Sequence, residues 1–279
     1  MDNNIIFVTA YKDIGRSKWS SIPRTTESYC DNFYKYASRI NYKLLVFVDE
    51  TLKHYLQTQY TLPSNVMFYD INIRDTFYDK YIDIEKNIIN SINYKNKIPN
   101  DRKDCPEHLY AEYNLVNHNK INYVNEAKRL YPDYKFYSWV DFGITLPNNS
   151  KIFSSLNVAS MPSKIIYQHV SSNLPENKMY ILPEKESATD PNNMLSSHVI
   201  YFAGSIFIVH TDMVSIYEKL YDAKLEELQQ KNIVDDDQNI VLQIYLDNKD
   251  LFYMPKVKDN PNLNIPLGLN EWFKLYEFF

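Results

Sequence analysis

Glycine is nearly missing from this chain, with four in 279 residues. So few leave no loop that could wrap a phosphate in glycine, and neither the dinucleotide-binding nor the P-loop spacing occurs. Nicotinamide and P-loop chemistry are therefore disfavoured. Cysteine is as scarce: Cys30 and Cys105 stand far apart without metal-ligand spacing. That excludes a disulfide scaffold and suits a reducing compartment. No run approaches the roughly 20 apolar residues of a membrane helix. The start, Met1–Thr9, lacks the basic region and long apolar stretch of a secretory leader, so a cytoplasmic location is expected. An excess of positive charge is also missing, since 30 basic against 35 acidic residues leave −5. This argues against nucleic acid as a partner, though not against local basic groups facing a small anion.

What is present can build a large core. Hydrophobic residues make up 44% and charged residues 23%, so disorder is not expected. Ile5–Thr9, Leu44–Val48 and Val66–Tyr69 read as strands, and Thr25–Ile40 carries an aromatic stripe at helical spacing behind a Thr cap. Strand alternating with helix points to a parallel sheet with helical crossovers. Leu109–Leu130 reads as one long helix, Met161–Val170 contains a strand, and Val199–Val209 is β-patterned but interrupted at Ala203-Gly204-Ser205. Helices are expected from Thr211, as cap, towards Gln230 and over Asp235–Leu246. The polar stretch Ser171–Ser197 is long enough for a lid or binding loop. No repeat or linker divides the chain, and residues 1–279 are read as one domain.

The densest signal is Phe136-Tyr-Ser-Trp-Val-Asp-Phe-Gly-Ile144, a buried-strand run that delivers Asp141 just before a glycine. In open α/β sheets ligands bind beyond the carboxyl ends of strands, where this Asp would sit; a plain turn cap is the competing reading. The letters Asp-Phe-Gly also spell a protein-kinase motif, but no Gly-rich loop or His-Arg-Asp segment accompanies them. After the first strand, Val8–Arg16 ends in Gly15-Arg16, which could present amides and a guanidinium to a diphosphate, or form an ordinary turn. Lys120 and His118 fall within the long helix, where a solvated face is the default. Asp235-Asp236-Asp237 could hold a metal ligand or a general base, or simply cap a helix.

Five blocks in order, Val-Thr-Ala-Tyr-x-Asp-Ile-Gly-Arg, Asn-x-Lys-x-x-x-Val-x-x-Ala, Trp-Val-Asp-Phe-Gly, Ala-Gly-Ser-Ile-Phe and Asp-Asp-Gln, resemble the HtrL/YibB family. They span residues 8 to 238. That bacterial and viral family is regarded as related to nucleotide-sugar-dependent glycosyltransferases of GT-A fold, and a viral member would work in the host cytoplasm. The resemblance implies an α/β, Rossmann-type mixed sheet flanked by helices. It implies that Thr9, Ala10 and Tyr11 line a nucleotide pocket, with Asp13 and Arg16 near the base, ribose or diphosphate. Asp49 is a further nucleoside candidate, and Lys120 would face the donor phosphates.

Asp141 matches the first carboxylate of the Asp-x-Asp signature that positions ribose and a divalent cation. Gly143 stands where the second Asp belongs, so the usual direct ligand is missing; a weakly held Mn²⁺ or Mg²⁺ on Asp141 is the expectation. Gly204 and Ser205 would approach the sugar or acceptor, and Asp237 the transferred group. The implied activity is transfer from a UDP-sugar to a glycan, lipid-linked glycan or other hydroxyl, with Asp237 as base and Asp236 as runner-up. A sugar nucleotidyltransferase and a non-catalytic glycan-binding protein are the alternatives.

Overall fold

The computed structural model describes residues 4–20, 23–170, 201–256, 260 and 271–279. The stretch expected to form a lid, Ser171–Ser197, lies outside them, as do the first residues of the Val199–Val209 run.

Seven strands form one mixed sheet: β1 (Ile5–Ala10), β2 (Leu44–Val48), β3 (Val66–Asp70), β4 (Phe136–Val140), β5 (Ile165–His169), β6 (Phe202–His210) and β7 (Phe252–Tyr253). Their order is β3-β2-β1-β4-β6-β5-β7. The first four are mutually parallel, and β6 runs antiparallel to both its neighbours. Continuous apolar runs such as Leu44-Leu-Val-Phe-Val48 suit strands covered on both faces. Residues alternate between two cores accordingly: Ile6 and Val8 of β1 join one, Ile5 and Phe7 the other.

The helices covering the sheet are α1 (Thr26–Ala37), α2 (Glu50–Gln59), α3 (Asp75–Asn90), α4 (Ile92–Lys97), α5 (Ala111–His118), α6 (Lys120–Leu130), α7 (Thr211–Gln230) and α8 (Asp237–Asp247). α1 and α2 supply one core; α3 to α8 supply the other. The chain therefore winds from β1 to β2 and β3 in one direction, then crosses to β4 on the far side of β1. That reversal opens a crevice between the carboxyl ends of β1 and β4, the place where doubly wound sheets take ligands.

Three expectations are corrected. The helix expected over Leu109–Leu130 is two helices, α5 and α6, meeting at Asn119. β6 runs unbroken through Ala203-Gly204-Ser205. His210, not Thr211, caps α7, its ring accepting the Asp212 N–H.

Candidate functional site

A cavity of about 450 Å³ fills the crevice, and Ala10, Tyr11, Arg16, Lys120, Asp141, Gly204, Ser205, Asp236 and Asp237 all reach it. Residues far apart in sequence, singled out by pattern or by resemblance, thus share one space. Three others do not reach it. Thr9 is wholly buried in the sheet, and Asp13 and Asp49 line a separate cavity of about 240 Å³ that shares only Tyr11 with the first.

Asp141 follows the last residue of β4, and its backbone N–H donates to Ser205 O across to β6 at 2.9 Å. The period of two along the strand puts it on the same face as Trp139, whose Nε1 donates to Asp141 Oδ1 at 2.7 Å. That face looks towards α6. Lys120, the first residue of α6, is buried there rather than solvated. Its ammonium donates to Asp237 Oδ2 at 2.9 Å and Gly204 O at 3.0 Å, and lies 3.2 Å from Asp141 Oδ1. A cation at a helix N-terminus is opposed by the macrodipole. Burial opposes the charge as well, yet Asp141 and Asp237 outweigh it and hold the Lys120 pKa above its ordinary value.

The three adjacent aspartates have three destinations. Asp236 caps α8, accepting the Gln238 N–H at 3.1 Å. Asp237 enters the cavity, and burial raises its pKa while Lys120 pulls it back. Asp235 turns into a sealed polar cluster behind the site, where Asn239 donates to it at 2.8 Å and Arg102 stands 3.9 Å away. Arg102 also pairs with Glu107 at 3.2 Å. In the same region His118, the last residue of α5, bonds the Tyr221 hydroxyl through Nδ1 at 2.8 Å and faces Glu85 at 3.6 Å. Burial lifts Glu85 to about 8. Burial and the nearby Lys120 charge lower His118 to about 3. At neutral pH these two therefore meet as uncharged groups.

The wall beside β1 is aromatic. Gly15 adopts φ 74°, a left-handed turn open to glycine, and Asp13 Oδ1 accepts its N–H at 2.8 Å. The chain then places Arg16 so that it donates to the Tyr29 hydroxyl at 2.7 Å, with Trp19 and Tyr113 rings 5.4 and 5.7 Å from the guanidinium. The Tyr29 ring explains Gly143, because a Cβ at that position would overlap it. Gly204 is equally constrained: its Cβ would come within 2.9 Å of Asp237 Oδ2.

Sequence reasoning missed Tyr29, Tyr113, Trp272 and Phe273, which also line the cavity. None carries a local signal, since each lies on a helix or loop that the fold brings in. Trp139 did carry one: it sits two residues before Asp141 on a strand.

The donor set does not suit a divalent ion. Among the described residues no three His, Cys, Asp or Glu side chains gather to hold a metal. The space between Asp141 and Asp237 is taken by the Lys120 ammonium, and the Tyr29 ring fills the room a side chain at 143 would need. Nor is any helix of the described residues long and apolar enough to cross a membrane.

Comparison with known proteins covers the whole chain. Protein HtrL of Escherichia coli (strain K12) is 25% identical over 294 residues, spanning 100% of this chain and 93% of that protein. The solved structure of mouse xyloside xylosyltransferase 1 in its apo form superposes with a TM-score of 0.49 at 10% identity, covering 98% of this chain and 93% of that one. The model of the family described as "Bacterial protein of unknown function (HtrL_YibB)" matches residues 3–279, and the chain belongs to that family.

Proposed function

We propose that this protein transfers a sugar from a nucleotide-sugar donor, a UDP-sugar, to a hydroxyl of a glycan or lipid-linked glycan. The observation that carries the reading is the convergence of Lys120, Asp141 and Asp237 in an open cavity at the switch point of the sheet. Glycosyl transfer must stabilise a departing diphosphate and the positive charge left at the anomeric carbon. Lys12, Arg16, Arg24 and Lys120 give the cavity four cationic side chains against three carboxylates, a balance that suits an anionic donor. Tyr11 lines the cavity, its ring packed 5.1 Å from both Tyr29 and Phe142.

Asp237 is placed to act as base on the acceptor hydroxyl. Its raised pKa brings it nearer to working pH, where a general base is most effective. Lys120 holds one carboxylate oxygen and leaves the other to accept a proton. Asp141, fixed by Trp139, is then the group facing the ribose or the sugar. The five sequence blocks resemble the HtrL/YibB family, regarded as related to nucleotide-sugar enzymes, which supports the same reading.

Thermal shift with nucleotides tests it. UDP is expected to raise the melting temperature more than AMP or NAD does, through ligand linkage. No shift with any nucleoside diphosphate at millimolar concentration would remove the proposal. Release of pyrophosphate from UTP and a sugar phosphate would point instead to a nucleotidyltransferase.

A further inference from the structure

We propose that the Lys120 ammonium occupies the place a divalent cation would take in this site, so that the donor diphosphate is neutralised without metal. The inference rests on the nucleotide-sugar reading and concerns its charge compensation. Three oxygens from three separate elements already surround Nζ: Asp237 Oδ2 of α8 at 2.9 Å, Gly204 O of β6 at 3.0 Å and Asp141 Oδ1 after β4 at 3.2 Å. That is a cation cage with its cation built in. A metal on Asp141 would lie beside a fixed positive charge, and magnesium needs octahedral oxygen coordination at short range. The second carboxylate is excluded by the ring of Tyr29 against Gly143.

The cage can also release a donor to the substrate. The contact to Asp141 is the longest of the three, and Asp141 keeps the Trp139 Nε1 bond when it is given up. One N–H of Lys120 then turns to a phosphate oxygen while Asp237 and the Gly204 carbonyl retain the other two. Arg16, on the same cavity wall, supplies a second cationic contact. Carboxylates on either side keep the ammonium charged through this exchange, which a buried lysine without partners would not manage.

Calorimetry with UDP decides the matter on the full chain, in EDTA and in manganese. The wild-type dissociation constant is expected to agree within about threefold between the two, and Lys120→Ala to weaken it by about tenfold or more in EDTA, the scale of one lost charge-assisted hydrogen bond. Manganese should restore part of that loss, because the vacated cage still offers two carboxylates and a carbonyl. Wild-type binding about tenfold tighter in manganese, or unchanged affinity of Lys120→Ala in EDTA, would overturn the inference. If UDP binds in neither condition, the nucleotide-sugar reading itself fails. Should Lys120→Ala not fold, the wild-type comparison decides alone.

Discussion

Two buried charge clusters lie side by side in this molecule, and adjacent residues divide between them. His118 and Asp235 face the sealed cluster, while Lys120 and Asp237, each two residues further on, face the cavity. In the sealed cluster Glu85 and His118 answer burial by giving up charge, Glu85 lifted to about 8 and His118 lowered to about 3, while Arg102 in the same cluster stays paired with Glu107. In the cavity charge is kept, because the Lys120 ammonium stands within 3.2 Å of both Asp141 and Asp237. Burial of a titratable group therefore does not mark function here. The proposed site is set apart by retained charge that borders open space.

The most direct way to break this contrast is to neutralise one aspartate on each side. Asp237→Asn is expected to lower turnover about 100-fold or more with donor affinity nearly unchanged, as loss of a base should. Asp235→Asn should leave turnover alone and alter only the melting temperature. Steady-state kinetics with separate donor titrations check both. Normal turnover in Asp237→Asn with Asp236→Asn impaired would move the base to the capping residue.

Gly143→Ala probes the wall rather than the charges. Its Cβ would press on the ring of Tyr29, whose hydroxyl accepts the Arg16 hydrogen bond, so a loss of about 1–3 kcal/mol is expected from overpacking. Urea unfolding measures it. Adding Tyr29→Ser should recover part of the loss; strictly additive effects would mean that the ring is not the obstacle.

The sealed cluster predicts a pH dependence with a definite sign. Glu85 binds its proton in the folded state up to about 8, against an ordinary 4.5, so its contribution is complete below 4.5 and is lost as pH rises towards 8. His118 works in reverse: its contribution is present above its ordinary 6.5 and is lost as pH falls towards 3. Between pH 6.5 and 8 Glu85 is therefore unopposed by His118. Wild-type stability should fall there by up to about 1.4 kcal/mol per pH unit. Asp235, lifted by burial to about 7, adds the same sign below that value. Glu85→Gln should flatten the fall, and parallel unfolding profiles of the two proteins would refute the assignment.

The fold was more legible in the sequence than the site. β1, β2, β3 and α1 follow from apolar runs and a Thr cap because those signals are local. The break between α5 and α6 was hidden, since Asn119 keeps near-helical torsions (φ −76°, ψ −5°) and the apolar spacing runs on across it. Lys120 resembled a surface lysine because its partners lie 84 and 117 residues away. Among Asp235, Asp236 and Asp237 only the turn into α8 decides which carboxylates reach the cavity and which one turns away, and composition cannot express that turn. The missing second carboxylate could be read at Gly143; its cause, the ring of Tyr29, could not.

The smallest expected effect concerns Asp49, which resemblance places near the nucleoside and which the fold uses as a helix cap. Its Oδ1 accepts the Leu52 N–H at 2.7 Å at the start of α2. With Asp13 and Thr26 it also lines the smaller cavity, which shares Tyr11 with the cavity that holds Lys120. Substitution by Ala would confound the two roles, because losing the cap alone costs about 1 kcal/mol. Asp49→Ser separates them, since a serine hydroxyl caps nearly as well and carries no charge. If the nucleoside extends past Tyr11 into the second cavity, UDP should bind a few-fold more weakly to Asp49→Ser, with the melting temperature almost unchanged. Unchanged affinity would confine the nucleotide to the first cavity and leave Asp49 as a cap. A lowered melting temperature with unchanged affinity would say that the cap needs the carboxylate's charge at the α2 dipole, and nothing about the ligand.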